Sequence, residues 1–255
     1  MITENIIQQL RELHLIGMAD SLQRQCNTPE HETLCFEERI HLMIQNERVD
    51  RANESFKKRL RIATLPIPNA SLEELDPALP RQLDPLTLAT VCEMGWVKKH
   101  LNILITGPCG IGKSYIASAL ANAACRADYN VRCFKMPQLA TQLARAHALQ
   151  RRSTFLKALA HADVLLLDDL TIANLTDQLK RDLLEILDDR YDRRSTIVTS
   201  QLKVGSWHAA FNDPTLADAT LDRLVHNAYK LEPDGDSIRK LKGLTGHHKP
   251  PKTRQ

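Results

Sequence analysis

The octapeptide GPCGIGKS, residues 107–114, has the residue types and spacing that hold a polyphosphate. Gly107, Gly112, Lys113 and Ser114 complete the pattern Gly-x-x-x-x-Gly-Lys-Ser, and Gly110 adds a further glycine. Glycines at these positions remove the side chains that would keep backbone N–H groups from phosphate oxygens, and they permit the dihedral angles that the wrap needs. Lys113 can reach the outer phosphates, and the Ser114 hydroxyl suits Mg²⁺. The expected nucleotide-binding residues are Gly107, Pro108, Cys109, Gly110, Ile111, Gly112, Lys113, Ser114 and Tyr115. The alternative is a plain glycine turn between a strand and a helix.

Other stretches supply groups that could complete such a site. DVLLLDDL, residues 163–170, ends an apolar run with Asp168 and Asp169. A carboxylate at the end of a buried strand can hold Mg²⁺, and a second one beside it can polarise an attacking water. Two acids capping the next helix would be the alternative. STIVTSQL, residues 195–202, is another apolar strand, ending in Thr199, Ser200 and Gln201, where a polar side chain could meet a γ-phosphate or the lytic water. In LDRLVH, residues 221–226, Arg223 stands among apolar neighbours at helical spacing. Such an arginine can complete a neighbouring subunit's site as a finger, or form a surface ion pair.

These groups need rigid elements behind them. NILIT, VRCFKM, DVLLLDD, STIVTS and YKLEP read as short strands. KSYIASALANAACRA, PQLATQLARAHAL, STFLKALA, LTDQLKRDLLEILDDRYDRR and LADATLDRLVHNA read as helices between them. Short apolar strands alternating with helices predict a parallel sheet covered on both faces. Residues 3–62 read as helices, with no glycine or proline between 30 and 65. PIPNASLEELDPALPRQLDP then carries five prolines in twenty residues, a boundary signal. The expected organisation is an N-terminal helical domain over 1–65, a Pro-rich linker with short helices over 66–90, an ATPase domain over 91–245 and a basic tail over 246–255.

The formal net charge is only +3, but cations cluster. Arg48, Arg51, Lys57, Lys58, Arg59 and Arg61 stand against Asp50 and Glu54. From Arg239 onward the tail holds six Lys or Arg and no acid. Two such patches on a near-neutral body point to a polyanionic partner, or else to a solvated helix face and a loose tail. No apolar run reaches the roughly 18 residues of a membrane span, and the opening MITENIIQQLRELHL has no secretory pattern. Cys26, Cys35, Cys92, Cys109, Cys125 and Cys133 form no Cys-x-x-Cys pair. Reduced thiols in a cytoplasmic protein are therefore expected, and zinc is not.

Taken in order, GPCGIGKS, LLLDDL, STIVTSQL and LDRLVHNAYKLEPDGDSIRK resemble the IstB-like helper ATPases of insertion sequences, which are similar to the DnaC helicase loaders and the DnaA initiator within the AAA+ class. LRELHLIGMADSL, FEERIHLMI and KKRLRIATLP resemble that family's N-terminal helices, so nearly the whole chain is covered. The resemblance implies an α/β P-loop fold of AAA+ type with an N-terminal all-helical domain. Only about 24 residues follow position 231, so no full C-terminal lid is expected. It implies an ATP- and Mg²⁺-dependent bacterial ATPase that assembles as a homo-oligomer on duplex DNA, with ATP at subunit interfaces. It also implies recruitment or activation of a transposase encoded by the same element.

Carried over by position, Lys113 and Ser114 bind phosphate and magnesium, Asp168 takes the magnesium role and Asp169 the catalytic acid role. Gln201 falls at the first sensor and Arg223 at the finger; Arg239 is a basic contact near nucleotide or DNA. Departures are Asp169 where the class usually has Glu, Thr171 where glycine is common, and Gln201 for asparagine. The shorter acid points to slow or assembly-dependent hydrolysis. A helicase loader, a non-hydrolysing ATP-switched architectural protein and a small-molecule kinase are the competing readings. The kinase expects an acceptor-site lid, and STIVTSQL and LDRL argue against it.

Overall fold

The computed structural model describes residues 2–28, 33–75, 83–170, 175–211 and 213–235. Arg239, Thr171 and the basic tail lie outside them. The chain forms two compact units, 1–58 and 59–255.

The first unit holds α1 (Ile2–Glu12), α2 (Ile16–Asn27) and most of α3 (Phe36–Ala63). Gly17 is what lets α2 lie close on α3. A Cβ there would come within 2.7 Å of the Glu47 backbone. Glu47 is buried and accepts from the Met18 N–H and from Arg51. Ser21 accepts from the Asn46 amide at 2.9 Å, fixing the same contact one turn on.

The second unit follows with α4 (Pro85–Cys92), α5 (Gly95–Lys98), β1 (Asn102–Thr106), α6 (Lys113–Arg126), β2 (Val131–Lys135), α7 (Met136–Ala148), α8 (Arg152–Ala160), β3 (Val164–Asp168), α9 (Asp177–Arg190), β4 (Ser195–Ser200), α10 (Trp207–Ala210), α11 (Pro214–Val225) and β5 (Ala228–Leu231). The strands form one all-parallel sheet in the order β2-β3-β4-β1-β5. β1, β3 and β4 are buried along their full length, as continuous apolar strands covered on both faces must be.

Local chemistry sets the helix ends. Asp84 caps α4 and Asp213 caps α11, each followed by a proline at the first helical position, where a missing N–H costs nothing. Thr176 caps α9. α6 is alanine-rich and mostly buried; small side chains let it lie close on the sheet behind the 107–114 loop. Leu183, Ile186 and Leu187 of α9 enter the core with Leu165, Leu167 and Trp207. Arg190, fully buried at the end of α9, donates to the carbonyls of Leu159 and Ala162, at 2.8 and 2.7 Å, to the Ser195 carbonyl and to the Thr196 hydroxyl. It thereby caps α8 and ties it to β4. Burial, with Arg194 nearby, pushes its guanidinium down to about 9.

The part of the proline-rich stretch within the described residues packs on α6. Asn122 donates to the carbonyls of Pro68 and Ala70, and Ala70 is fully buried.

Candidate active site

The 107–114 loop leaves the carboxyl end of β1 and opens α6. Gly110 and Gly112 have φ of 85° and 94°, in the left-handed region that favours glycine. Gly107 is required for a different reason: a Cβ there would stand 2.5 Å from the Pro233 carbonyl oxygen. Ile111 is buried and anchors the loop, while Pro108 and Cys109 are exposed. The buried Lys113 ammonium donates to the carbonyls of Gly107 and Pro108, at 2.7 and 2.8 Å. The loop thus curls around its own lysine. Tyr115, one residue beyond, donates to Glu74 at 3.0 Å.

Opposite stands the acid pair. β4 lies between β1 and β3, yet the Ser114 hydroxyl reaches Asp168 Oδ1 at 2.9 Å. The Thr199 hydroxyl, at the end of β4, donates to the same oxygen at 2.7 Å and accepts from the Asp169 N–H at 2.8 Å. One buried hydroxyl therefore sets both acids. Asp168 stays in the strand and is buried. Asp169 turns out of it into the left-handed region, φ 58°, and its carboxylate is exposed. Gln201 donates to Asp169 Oδ1 at 3.2 Å. Ser200 closes the frame: its hydroxyl donates to the Leu170 carbonyl and its own carbonyl accepts from Gly107 N–H.

Lys113, Ser114, Asp168, Asp169 and Gln201 thus converge at the carboxyl end of the sheet. Sequence reading placed Thr199 at a polar strand end but missed its bridging role, for which a threonine closing an apolar strand beside the acid strand is the signal. The oxygen donors Ser114 and Asp168, 2.9 Å apart at a helix N-terminus beside the lysine, fit a hard divalent cation carried on phosphate. Among the described residues no group of three or more His, Cys, Asp or Glu could hold a metal by itself, and all six cysteines are free thiols. Burial and then Asp168 push the Cys133 thiol up to about 12.

Arg223 does not join this cluster. It sits in the last turn of α11, and its backbone carbonyl accepts from the Asn102 amide at the start of β1. The loop begins at the other end of that strand, about 13 Å away by strand rise. Its guanidinium pairs with Asp188 at 3.0 Å and with Asp222. Of the candidate DNA contacts, Arg48, Lys58 and Arg61 are exposed, Arg51 pairs with Glu47 and Lys57 with Glu54. Arg59 faces inward, donating to the Cys125 carbonyl and pairing with Asp128.

Residues 8–245 match the family model described as IstB-like ATP binding protein. The chain belongs to that family. It is 40% identical over 242 residues to y4uH of Sinorhizobium fredii, an insertion sequence ATP-binding protein, covering 95% of this chain and 97% of that one. The fold is that of AAA+ proteins. The DnaC helicase loader superposes with a TM-score of 0.54 at 20% identity, covering 65% of this chain and 97% of that one. The replication initiator DnaA, solved with AMPPCP and single-stranded DNA, gives 0.54 at 18% identity over 70% of this chain and 56% of that one. ATP is accordingly the ligand of this IstB-like protein. Among the described residues no helix is long and apolar enough to cross a membrane.

Proposed function

We propose that this IstB-like protein is a Mg²⁺-dependent ATPase that assembles as a homo-oligomer on duplex DNA and recruits or activates the transposase encoded by the same insertion sequence. The observation that carries it is the linked set Ser114–Asp168–Thr199–Asp169–Gln201, with Arg223 at the far end of the same sheet. A finger held so far from its own loop is suited to a neighbour's loop, which makes hydrolysis a property of the assembly.

In this reading the loop N–H groups and Lys113 bind the outer phosphates, and Lys113 exchanges two carbonyl acceptors for phosphate oxygens. Ser114 and Asp168 would hold Mg²⁺, which when bound would offset negative charge on the phosphates. Asp169 accepts a hydrogen bond from the attacking water, with Gln201 and the Thr199-bound backbone fixing its carboxylate. Arg223 of the adjoining subunit leaves Asp188 to neutralise charge developing on the transferred phosphoryl group. Exposed cations hold DNA phosphates without reading sequence. The N-terminal helices, with Leu13, Phe36 and Val49 exposed, grip the transposase.

ATP turnover with and without long duplex DNA, beside Lys113→Ala, tests this. DNA-stimulated turnover that is lost in the variant is expected. Tight ATP binding without turnover under any condition would refute the enzymatic part, and turnover indifferent to DNA would refute assembly on it. The transposase arm is tested by co-purification with the transposase of the element.

A further inference from the structure

The 32 residues from Val131 to Ala162 contain six Lys or Arg and not one Asp or Glu, where the chain average of 31 acids in 255 would place about four. This stretch builds β2, α7 and α8. Met136, Leu139, Leu143 and Ala146 turn one face of α7 into the core, and Leu156 and Leu159 do the same for α8. Arg145 on α7, Lys157 on α8 and Arg151 between them are exposed, as are Arg132 and Lys135 on β2, and none of the five pairs with a carboxylate among the described residues. Uncharged donors, Gln138, Gln142, Ser153 and Thr154, stand exposed between them.

The sixth cation, Arg152, is spent differently. It pairs with buried Asp182 at 2.8 Å and with Glu185, while His147 and Gln178 also meet Asp182 at 3.1 and 3.0 Å. This network fastens α7 and α8 to α9. The Phe134 and Phe155 rings, edge to face with centroids 6.0 Å apart, fasten α8 to β2. Arg145, Arg151 and Lys157 therefore ride on a fixed platform. At its upper corner Lys135 is the register partner of Asp168 on the neighbouring strand.

We infer that the outer face of α7–α8 is the surface by which the ATPase unit grips the phosphate backbone of duplex DNA. This rests on the DNA-binding reading above and moves its principal contact onto residues other than those of segment 48–61. A membrane surface fits poorly, because the two helices expose no large apolar side chain, Leu149 between them is the one exposed in this stretch, and a membrane face needs several. Cations spaced among amide and hydroxyl donors match a phosphate backbone, which takes both kinds of contact.

The test measures binding of the full-length protein to a long DNA duplex, with ATP and Mg²⁺, across a salt series. Wild type is compared with Arg145→Gln/Arg151→Gln/Lys157→Gln and with Arg48→Gln/Lys58→Gln/Arg61→Gln. The α7–α8 variant is expected to lower the slope of log affinity against log salt by about 0.9 per lost contact, roughly 2.7 in all. Its nucleotide binding and melting temperature should stay as in wild type. An unchanged slope with wild type still binding would overturn the inference and leave the DNA reading intact. Wild type failing to bind duplex DNA at any salt would overturn both, and preference for duplex RNA would overturn the assignment to DNA. Acetylation footprinting of the unmodified protein gives a second reading free of folding effects. DNA should shield Lys157 severalfold, and equal labelling of it with and without DNA would count against the platform.

Discussion

The two ends of the parallel sheet differ in what they offer. At the carboxyl end, glycines with positive φ, a loop lysine and two acids are joined by one threonine hydroxyl. At the amino end, Arg190, Arg194, Arg223 and His100 line a small polar hollow around the starts of β1 and β4. The first end can receive a polyphosphate and its metal; the second sets arginines beside the carboxylates of Asp192, Asp188 and Asp163. A sheet about 13 Å deep cannot bring its own ends together. In the proposed reading the two ends are complementary half-sites, and pairing unlike ends of successive subunits completes one site at each junction. Contacts between unlike surfaces generate rings or open helices.

The sharpest way to break this comparison is to remove the donor half alone. Arg223→Ala is expected to lower turnover of the assembled protein by about 10³-fold or more, the scale of an arginine finger. Nucleotide binding by the dilute, unassembled chain should stay unchanged. A variant that loses both would place Arg223 in its own subunit's fold and not in the neighbour's site. Mixing Arg223→Ala with Lys113→Ala subunits refines the test. If the half-sites meet between subunits, some junctions pair an intact loop with an intact finger, and part of the activity returns.

Thr199→Val probes how the receiving half is held. Valine keeps the volume and β-branching of the strand position but removes the hydroxyl shared by Asp168 and the Asp169 N–H. That donor is left without its acceptor, at a cost of about 1–3 kcal/mol in folding stability. Turnover should fall further than that loss predicts, because Asp169 loses the bond that fixes its left-handed turn. Unfolding and steady-state kinetics on the same preparation separate the two effects. A variant that is destabilised yet fully active would make Thr199 a packing residue only.

How far these features could be read from sequence follows from their range. The phosphate loop was legible because its constraint is local, with three glycines, a lysine and a serine within eight residues. The strands and helices behind it were legible from apolar runs and caps. The order β2-β3-β4-β1-β5 was not, since it is set by which strands share a core. That Thr199 bridges the acids depends on β4 lying next to β3, which no spacing reveals. Arg59 shows the reverse error: its sequence neighbourhood reads as a basic patch, but the fold spends it on Cys125 and Asp128. The acid-free run 131–162 was readable by counting and was overlooked because its cations are spread out instead of clustered.

The smallest expected effect on turnover concerns the anchor of α7 and α8 on α9, Asp182. Burial alone would raise its carboxyl, but bonds from Arg152, His147 and Gln178 outweigh burial and hold it below the ordinary value. A group whose folded pKa is depressed adds stability that is complete above its unfolded value, about 3.9, and is lost as pH falls through the folded value. Asp182→Asn should therefore melt lower than wild type by a constant margin from pH 7 down to about 5, worth about 1.5–3 kcal/mol for lost charged hydrogen bonds. Below the ordinary carboxylate range the two curves should converge. A gap that widens toward acid would mean that the carboxyl is already neutral in the native state. In that case α7 and α8 are held to α9 by packing, and the platform's rigidity does not depend on charge.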